Sequence, residues 1–329
     1  MDIRPVAGAA ALCFLLFVCP LNARSAPALE GPSAGSASLT GASSPMGVSI
    51  TDDAGKTITL ASPARRIIPL YAGLGEILSA MGLSGRIVAR TASDDSLPRD
   101  LPVVGTHMRP NHELVAGLSP DLAVQFEGRE EAGFAAESLS RMGITVARFR
   151  IASFADLYSC IERLGMLTGE EQAASALISK TQSRLEAVRV RMAAYDDKPS
   201  VFFEVRYPNL LGAGGGSMVS DIIRAAGGEN CLSPYPDRMV RLSEETLALR
   251  NPDLYLVQQG PMNKSPAPVD MRPHFRGLAA VRQGFVRTVP EALYSRPGPH
   301  SADAVEDLAR SIEAWHEKTR QPDPGADAR

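Results

Sequence analysis

The chain has 329 residues, 44% of them apolar and 22% charged, which suffices for two packed domains of ordinary size in a soluble, globular protein. Its formal net charge is -3 at pH 7. That balance excludes a polyanion binder, which would carry a basic surface or stripe, so nucleic acid is not an expected partner.

Arg4 precedes the apolar run "VAGAAALCFLLFVC", which Pro20 ends and the small residues of "NARSAPA" follow. The run is too short for a comfortable membrane span and suits an export signal over residues 1–28, cleaved after Ser25 or Ala28. Two alternatives stay open: an uncleaved anchor, and a lipoprotein acylated on Cys19, although Phe17 and Val18 are bulky for that processing site. Each puts the rest of the chain outside the cytoplasm. Loss of residues 1–28 removes Arg4, Arg24 and Asp2 and leaves a net charge of -4. Cys160 and Cys231 are then the remaining cysteines. A disulfide is permitted in an exported protein, and two free thiols in different lobes are the alternative.

Residues 29–47, rich in Gly, Ser, Ala and Pro, cannot bury enough surface to offset the entropy of ordering and read as a disordered leader. Order is expected from "VSITDDAGKTITL", a hairpin pattern around Asp-Asp-Ala-Gly. Strand, helix and strand follow in "RRIIPL", "GLGEILSAMG" and "GRIVAR", and again in "DLAVQF", "FAAESLSRMG" and "ITVARF". This rhythm predicts a parallel sheet in a first lobe, residues 48–167, with ligands at the carboxyl ends of its strands. From Thr168 to Tyr195 a helix is expected, opened by a Thr168/Glu171 capping box. Ile178, Thr181, Leu185, Val188 and Met192 give it one buried face, and its reach of about 40 Å suits a link between two lobes. A second lobe, 196–317, repeats the rhythm from "SVFFEV" to the closing helix "SADAVEDLARSIEAWH", and residues 318–329 read as a disordered tail.

One unit is written twice. "NHELVAGLSPDLAVQ" and "LSEETLALRNPDLYLV" each place a glutamate in a short capped helix, a proline that ends it, and an aspartate before a strand. Glu113 and Asp121 stand eight positions apart, as do Glu245 and Asp253, with Asn111 and Ser243 as the caps. The predicted fold is therefore α/β, two Rossmann-like lobes with parallel sheets joined by one long backbone helix.

The motif order is specific where each motif alone is loose. Signal, leader, hairpin, "RRIIPL…GEILSAMG", "VVGTHMRPNHELVAGLSPDLAV", long helix, "GGSMVSDIIRAAGGEN", "RLSEETLALRNPDLYLV", "AAVRQGFVRTV" and "YSRPGPH" together resemble the helical-backbone periplasmic binding proteins that deliver iron chelates, haem or cobalamin to ABC importers. The resemblance covers residues 48–317. It implies a periplasmic, monomeric protein whose two lobes clamp a metal chelate containing iron or cobalt. It also implies that one surface glutamate per lobe, Glu113 and Glu245, docks onto the permease dimer. The alternative for both glutamates is a purely local role, a carboxylate in the first turn of a helix. In "RPGPH", His300 stands where the family often has arginine, and its role is open.

Strand ends supply the candidate ligand contacts: His107 with Met108, Phe126, Arg129, Arg206, Tyr207, Tyr294 and Arg296. Of these Tyr294 or Tyr207, through a phenolate, and His107, through its imidazole, are candidate donors to the metal of the cargo. An anionic iron chelate, a siderophore or haem, is expected over cobalamin. A corrinoid is largely apolar and calls for an aromatic cleft, whereas the one Trp lies at 315 in the closing helix and the strand ends offer arginines. "GAGGGS", Gly212 to Ser217, lacks the Lys of a phosphate loop and reads as a turn lining the cleft. The five histidines show no zinc spacing, and no nucleophile elbow is present. No enzyme activity and no resident cofactor are expected, although an exported enzyme on a similar scaffold, or a free-zinc or manganese binder with the same long helix, are the alternatives from other classes.

Overall fold

The computed structural model describes residues 47–320. The export segment, all but the last residue of the leader, and residues 321–329 of the tail lie outside the described residues. The chain opens with β1 (Val48–Thr51) and β2 (Thr57–Leu60), an antiparallel hairpin in which Ile50 faces Ile58. Its turn is tied by Asp52, whose Oδ1 accepts from the amides of Ala54 and Lys56 at 3.1 and 2.8 Å. Then come β3 (Ile67–Pro69), α1 (Ala72–Ala80), α2 (His112–Gly117), β4 (Leu122–Phe126), α3 (Glu130–Arg141), β5 (Val146–Phe149) and α4 (Phe154–Thr168). The sheet order is β3-β4-β5, all parallel. "GRIVAR" forms single bridges, Ile87 to Ile67 and Arg90 to Val103, instead of the expected strand, because its residues divide between two partners.

After α5 (Glu171–Met192), the second lobe contains β6 (Ser200–Arg206), β7 (Leu211–Ala213), α6 (Met218–Ala225), β8 (Glu229–Asn230), β9 (Met239–Arg241), α7 (Glu244–Arg250), β10 (Leu254–Gln259), α8 (Ala279–Arg282), β11 (Val286–Pro290), α9 (Glu291–Tyr294) and α10 (Ser301–Arg320). Its sheet runs β11-β10-β6-β7-β9, with β8 also on β6. β10 is parallel to both β6 and β11, whereas β7 is antiparallel to β6 and β9. The fold is thus the expected α/β pair of lobes, with an antiparallel flank on the second sheet.

Strand alternation distributes the core. Val201, Phe203 and Val205 of β6 and Leu254 and Leu256 of β10 point into one apolar cluster, while Phe202, Tyr255 and Val257 point into another. In the first lobe Leu122 and Val124 join the first of these clusters and Ala123 a third. Successive strand side chains point to opposite faces, so apolar runs build sheets covered on both sides. The first cluster is common to both lobes: it runs from Ile50 through α4 and α5 to Ile312 of α10.

α4 begins at Ser153, whose Oγ accepts from the amide of Asp156 at 3.1 Å, and ends at Gly169 in the left-handed conformation, φ 68°. This corrects the capping box. Thr168 closes α4, its hydroxyl bonded to the carbonyl of Leu164 at 2.7 Å, and α5 starts at Glu171 without a side-chain cap. On α5, Ala174, Thr181, Val188 and Met192 are buried and Leu177, Ile178 and Leu185 half-buried. Its 22 residues span about 33 Å. Arg184 reaches Glu306 at 2.8 Å and Asp303, and Arg191 reaches Glu313, all on α10. α10 itself continues to Arg320, so residues 318–320 are helix and not tail: the Lys318 Nζ donates to the carbonyl of Gln283 at 2.8 Å, and the Arg320 guanidinium lies 4.9 Å from the Tyr195 ring. Cys160 is buried in α4 and Cys231 follows β8, both as free thiols.

The twice-written unit makes the same bonds twice. Asp121 donates its amide to the carbonyl of Arg66 at 2.9 Å and accepts the Arg66 amide on Oδ2 at 2.8 Å. Asp253 does both with Ser200, at 2.9 and 2.8 Å. Each aspartate thus pins the entry of the neighbouring parallel strand, β3 or β6. Asp121→Ala and Asp253→Ala are expected to lower stability by about 1–3 kcal/mol each in urea denaturation, because each leaves a strand-entry amide without its charged acceptor. An unchanged midpoint in both variants would contradict that role.

Candidate functional site

A cleft of about 790 Å³ opens between the lobes. From the first lobe it receives the residues that follow β3, β4 and β5: Tyr71, Phe126 to Arg129, and Arg150 to Ala152, joined by Thr106 to Met108. The parallel sheet delivers all of them, since its strand ends open on one edge. Gln125, fully buried in β4, orients two of these segments. Its Nε2 donates to the carbonyl of His107 and its Oε1 accepts the amide of Phe126, both at 2.8 Å. Tyr71 then packs at a tilt of 33° against Phe126, ring centres 4.8 Å apart, and meets the His107 ring edge-on at 5.7 Å. The result is an aromatic wall.

The second lobe contributes Gly216 to Val219, Pro236 to Met239, and Ser295 to Pro297. The "GAGGGS" turn does line the cleft, and packing explains its glycines. A Cβ on Gly214, Gly215 or Gly216 would overlap the carbonyl oxygens of Asp237, Ser233 and Pro236 respectively, so only glycine lets the 233–238 loop lie against the turn. Ser217 then caps α6 by accepting the amide of Ser220 at 3.2 Å. That loop carries Arg238, whose guanidinium lies 5.1 Å from the Phe126 ring of the opposite lobe, a cation–π contact across the cleft.

Charge is the other feature of the site. Arg129, Arg150, Arg238 and Arg296 line it, together with the carboxylates of Glu127, Asp237 and Glu291. Among the described residues the first three have no side-chain hydrogen bond or ion pair, whereas Arg296 donates to Glu76 at 3.2 Å. Burial pulls the Arg238 guanidinium below its ordinary value, and Arg129 adds to that effect. Burial pushes the Tyr71 phenol up to about 12, so it is neutral and able to donate. No cluster of three or more His, Cys, Asp or Glu placed to hold a metal ion occurs among the described residues.

The strand-end candidates separate into two groups. His107, Phe126, Arg129 and Arg296 lie in the cleft. Tyr294, Arg206 and Tyr207 do not line it. Tyr294 is fully buried on the short helix α9, where its hydroxyl donates to Asp307 at 2.7 Å, and its phenol is pushed far above its ordinary value. It is therefore in no position to meet a metal in the cleft. Arg206 and Tyr207 miss the cleft because β6 does not end in an open loop: Arg206 pairs with Leu211 of antiparallel β7. The Tyr207 ring faces Arg272, 4.2 Å away, and its hydroxyl donates to Glu244 at 3.1 Å. His300 is exposed and holds Asp303 at 2.8 Å. The strand-end rule, applied also to "RRIIPLY" and "ITVARFR", would have found Tyr71 and Arg150. Arg238, in a loop closed by long-range packing, leaves no such signal.

His107 provides a measurable consequence of this crowding. Burial first, then Arg129 and Arg238, lower its pKa from 6.5. The folded protein binds fewer protons there than the unfolded chain, so this group contributes stability above about pH 6.5 that is lost as the pH falls through the lower folded value. Proton NMR of the unliganded protein should show His107 titrating below a free imidazole and moving upward in Arg129→Gln. A midpoint at or above the free value would contradict the assignment of the crowding to these groups.

Comparison with known proteins agrees with this architecture. A family model described as periplasmic binding protein matches residues 67–293. An uncharacterized ABC transporter substrate-binding lipoprotein of Bacillus subtilis (strain 168), YvrC, is 28% identical over 272 residues, covering 80% of this chain and 85% of that protein. A vitamin B12-binding protein of Vibrio vulnificus (strain CMCP6) is 23% identical over 266 residues, covering 78% of this chain and 93% of that protein. Among solved structures, a possible iron-binding (periplasmic solute-binding) protein from Staphylococcus epidermidis superposes with a TM-score of 0.66 at 26% identity, covering 76% of this chain and 99% of that one. With the matched segment spanning both sheets and the helix between them, the chain belongs to the periplasmic binding protein family.

Proposed function

We propose that this chain is the substrate-binding component of an ABC importer and captures an anionic metal chelate, a ferric siderophore or haem, between its lobes. The observation that carries this reading is the set of unpartnered guanidinium groups around the aromatic wall: Arg129, Arg150 and Arg238. Arg129 and Arg238 are half-buried without an ion-pair partner, with only the longer-range field of Glu291 acting on Arg238, and Arg150 stands exposed at the rim; an anionic guest supplies the missing charge through short, charge-assisted bonds. The apolar part of such a guest would lie on Tyr71 and Phe126 and against the thioethers of Met108 and Met239, which adapt to irregular shapes. A volume of about 790 Å³ is within the usual range for small-molecule sites. His107 stays a candidate donor toward the metal of the cargo, and Tyr71 takes the place of Tyr294.

Cobalamin is the second reading, favoured by the Vibrio relative named for vitamin B12. Titrating the unliganded protein with haemin, a ferric catecholate and cyanocobalamin separates the two. Tight binding of an iron chelate, weakened at least tenfold in Arg238→Ala, is expected, since loss of one charge-assisted contact is worth about 1.5–3 kcal/mol. Tight binding of cyanocobalamin alone, indifferent to Arg238, would favour the corrinoid instead.

Delivery calls for a docking surface. Glu113 and Glu245 are exposed in the first turns of α2 and α7, the same position in the twice-written unit. The Ser243 hydroxyl holds Glu245 below the usual carboxylate range, so it stays charged at neutral pH. Two separated anionic knobs would fix the orientation of the protein on a cationic permease face. The sequence-read leader supports export, with the mature protein free in the periplasm or, like the relative named a lipoprotein, anchored through Cys19. Glu113→Ala combined with Glu245→Ala is expected to leave ligand affinity unchanged and abolish uptake in cells. Normal uptake at equal protein levels would return both glutamates to a local helix role.

A further inference from the structure

Arg296 differs from the other cleft arginines because its partner belongs to the opposite lobe. Its Nη1 donates at 3.2 Å to Oε1 of Glu76, 220 positions away in α1. Glu76 is only 8% exposed, and its second oxygen, Oε2, is buried without a hydrogen-bond partner among the described residues. A second carboxylate lies close by. Asp94 is fully buried, with Oδ1 held by the amide and hydroxyl of Ser96 at 3.2 and 2.6 Å and with Oδ2 likewise unpartnered. Small residues bring these groups together: a Cβ on Gly75 would overlap Asp94 Oδ2, and one on Gly298 would stand 3.1 Å from Glu76 Oε2. The charged groups facing Glu76 are Arg296, His300 and Asp94, with the Tyr71 phenol beside them; those facing Asp94 are Arg296 and Arg90; and Arg296 itself also faces Glu291 and Tyr71. One guanidinium thus serves two buried carboxylates and also lines the cleft.

We propose that Glu76 is a positioning residue that shares Arg296 with the ligand: in the empty protein it holds the guanidinium at the lobe junction, and an anion in the cleft draws that guanidinium away, upon which Glu76 takes up a proton from solvent. The inference rests on the anionic ligand proposed above. Its physical basis is the asymmetry of buried charge. A carboxylate that loses its salt-bridge partner in such a place is neutralised more readily than it is left bare. Burial already pushes both carboxyls up, against the opposing pull of Arg296. Weakening of Arg296's hold on one side is therefore answered by one proton on the Glu76 carboxylate, with no other bond made or broken. Ligand capture and the polar contact between the lobes become a single equilibrium.

Glu76→Gln keeps the shape and removes the charge. Calorimetric titration with haemin or a ferric catecholate, in two buffers of different ionisation heat, counts the protons taken up. The wild type should take up more than Glu76→Gln. The ratio of the two Kd values, in which the ligand's own titration cancels, should show the variant several-fold tighter near pH 7.5 and the wild type drawing level as the pH falls to about 5. A ratio independent of pH, equal proton uptake, or weaker binding by the variant throughout overturns the proposal. So does loss of the excess uptake in Asp94→Asn with its retention in Glu76→Gln, which moves the proton to Asp94. Arg296→Gln, which removes the other partner, should also abolish the excess uptake and serves if Glu76→Gln does not fold. If the wild type binds neither probe, the anionic-chelate reading fails, and the hold of Glu76 on Arg296 is read without ligand. Phenylglyoxal should then modify Arg296 several-fold faster in Glu76→Gln than in the wild type, with Arg238 unaltered, and equal rates overturn the proposal.

Discussion

The site depends on one constraint: a single apolar cluster passes from the first sheet to the second through α4, α5 and α10. Most two-lobed folds leave their lobes free to rotate about a polar linker. Here the connector is itself buried on one face, by Ala174, Thr181, Val188 and Met192, and Arg184 and Arg191 tie it to α10. Half-exposed ion pairs of this kind add little stability. They do fix the rotation of α5 about its axis, and with it the direction from which the second sheet faces the first.

With the lobes so held, the cleft has a defined shape before a ligand arrives. Parallel strands of the first sheet end on one edge and present an aromatic wall braced by Gln125. The second lobe answers with a loop lying on three glycines, from which Arg238 reaches the Phe126 ring. A cleft shaped in advance lowers the ordering cost of binding. The polar contacts across the boundary are few. Asp221 Oδ2 accepts the amide of Phe154 at 2.7 Å, and Glu76 holds Arg296. The second of these also borders the cleft, through Arg296.

A second buried network supports the far wall. Glu204 of β6, with no exposure, pairs with Arg272 and accepts from the hydroxyl of Tyr255 at 2.6 Å and from Asn263 at 3.2 Å. These bonds draw the 260–278 excursion down onto the sheet, so that Pro261 and Met262 at its start lie along the cleft. Nothing about "PMNKSPAPVDMRPHFRG" as a sequence announces this, because the anchoring carboxylate lies 68 residues from its arginine.

The sequence by itself determined the lobes, their order and the repeated unit, because those features rest on local patterns. Alternating apolar runs build strands, caps and prolines bound helices, and Asp121 and Asp253 bond to the strand entry that each sheet places beside them. Composition placed a tail from residue 318, whereas residues 318–320 extend α10 because Lys318 and Arg320 find partners on the folded surface. Only the tertiary structure decided which side chains meet in the cleft. A strand end states where the chain leaves the sheet and not where it goes next. After β3, β4 and β5 it opens into the cleft, whereas after β6 it turns into an antiparallel neighbour that takes Arg206 and Tyr207 elsewhere. After β11 one turn of helix carries Tyr294 into the core and leaves Arg296 at the junction. Arg238 and Glu76 were invisible for the same physical reason: their roles arise from burial and from partners in the opposite lobe, more than a hundred residues distant, and no local pattern records a contact of that range.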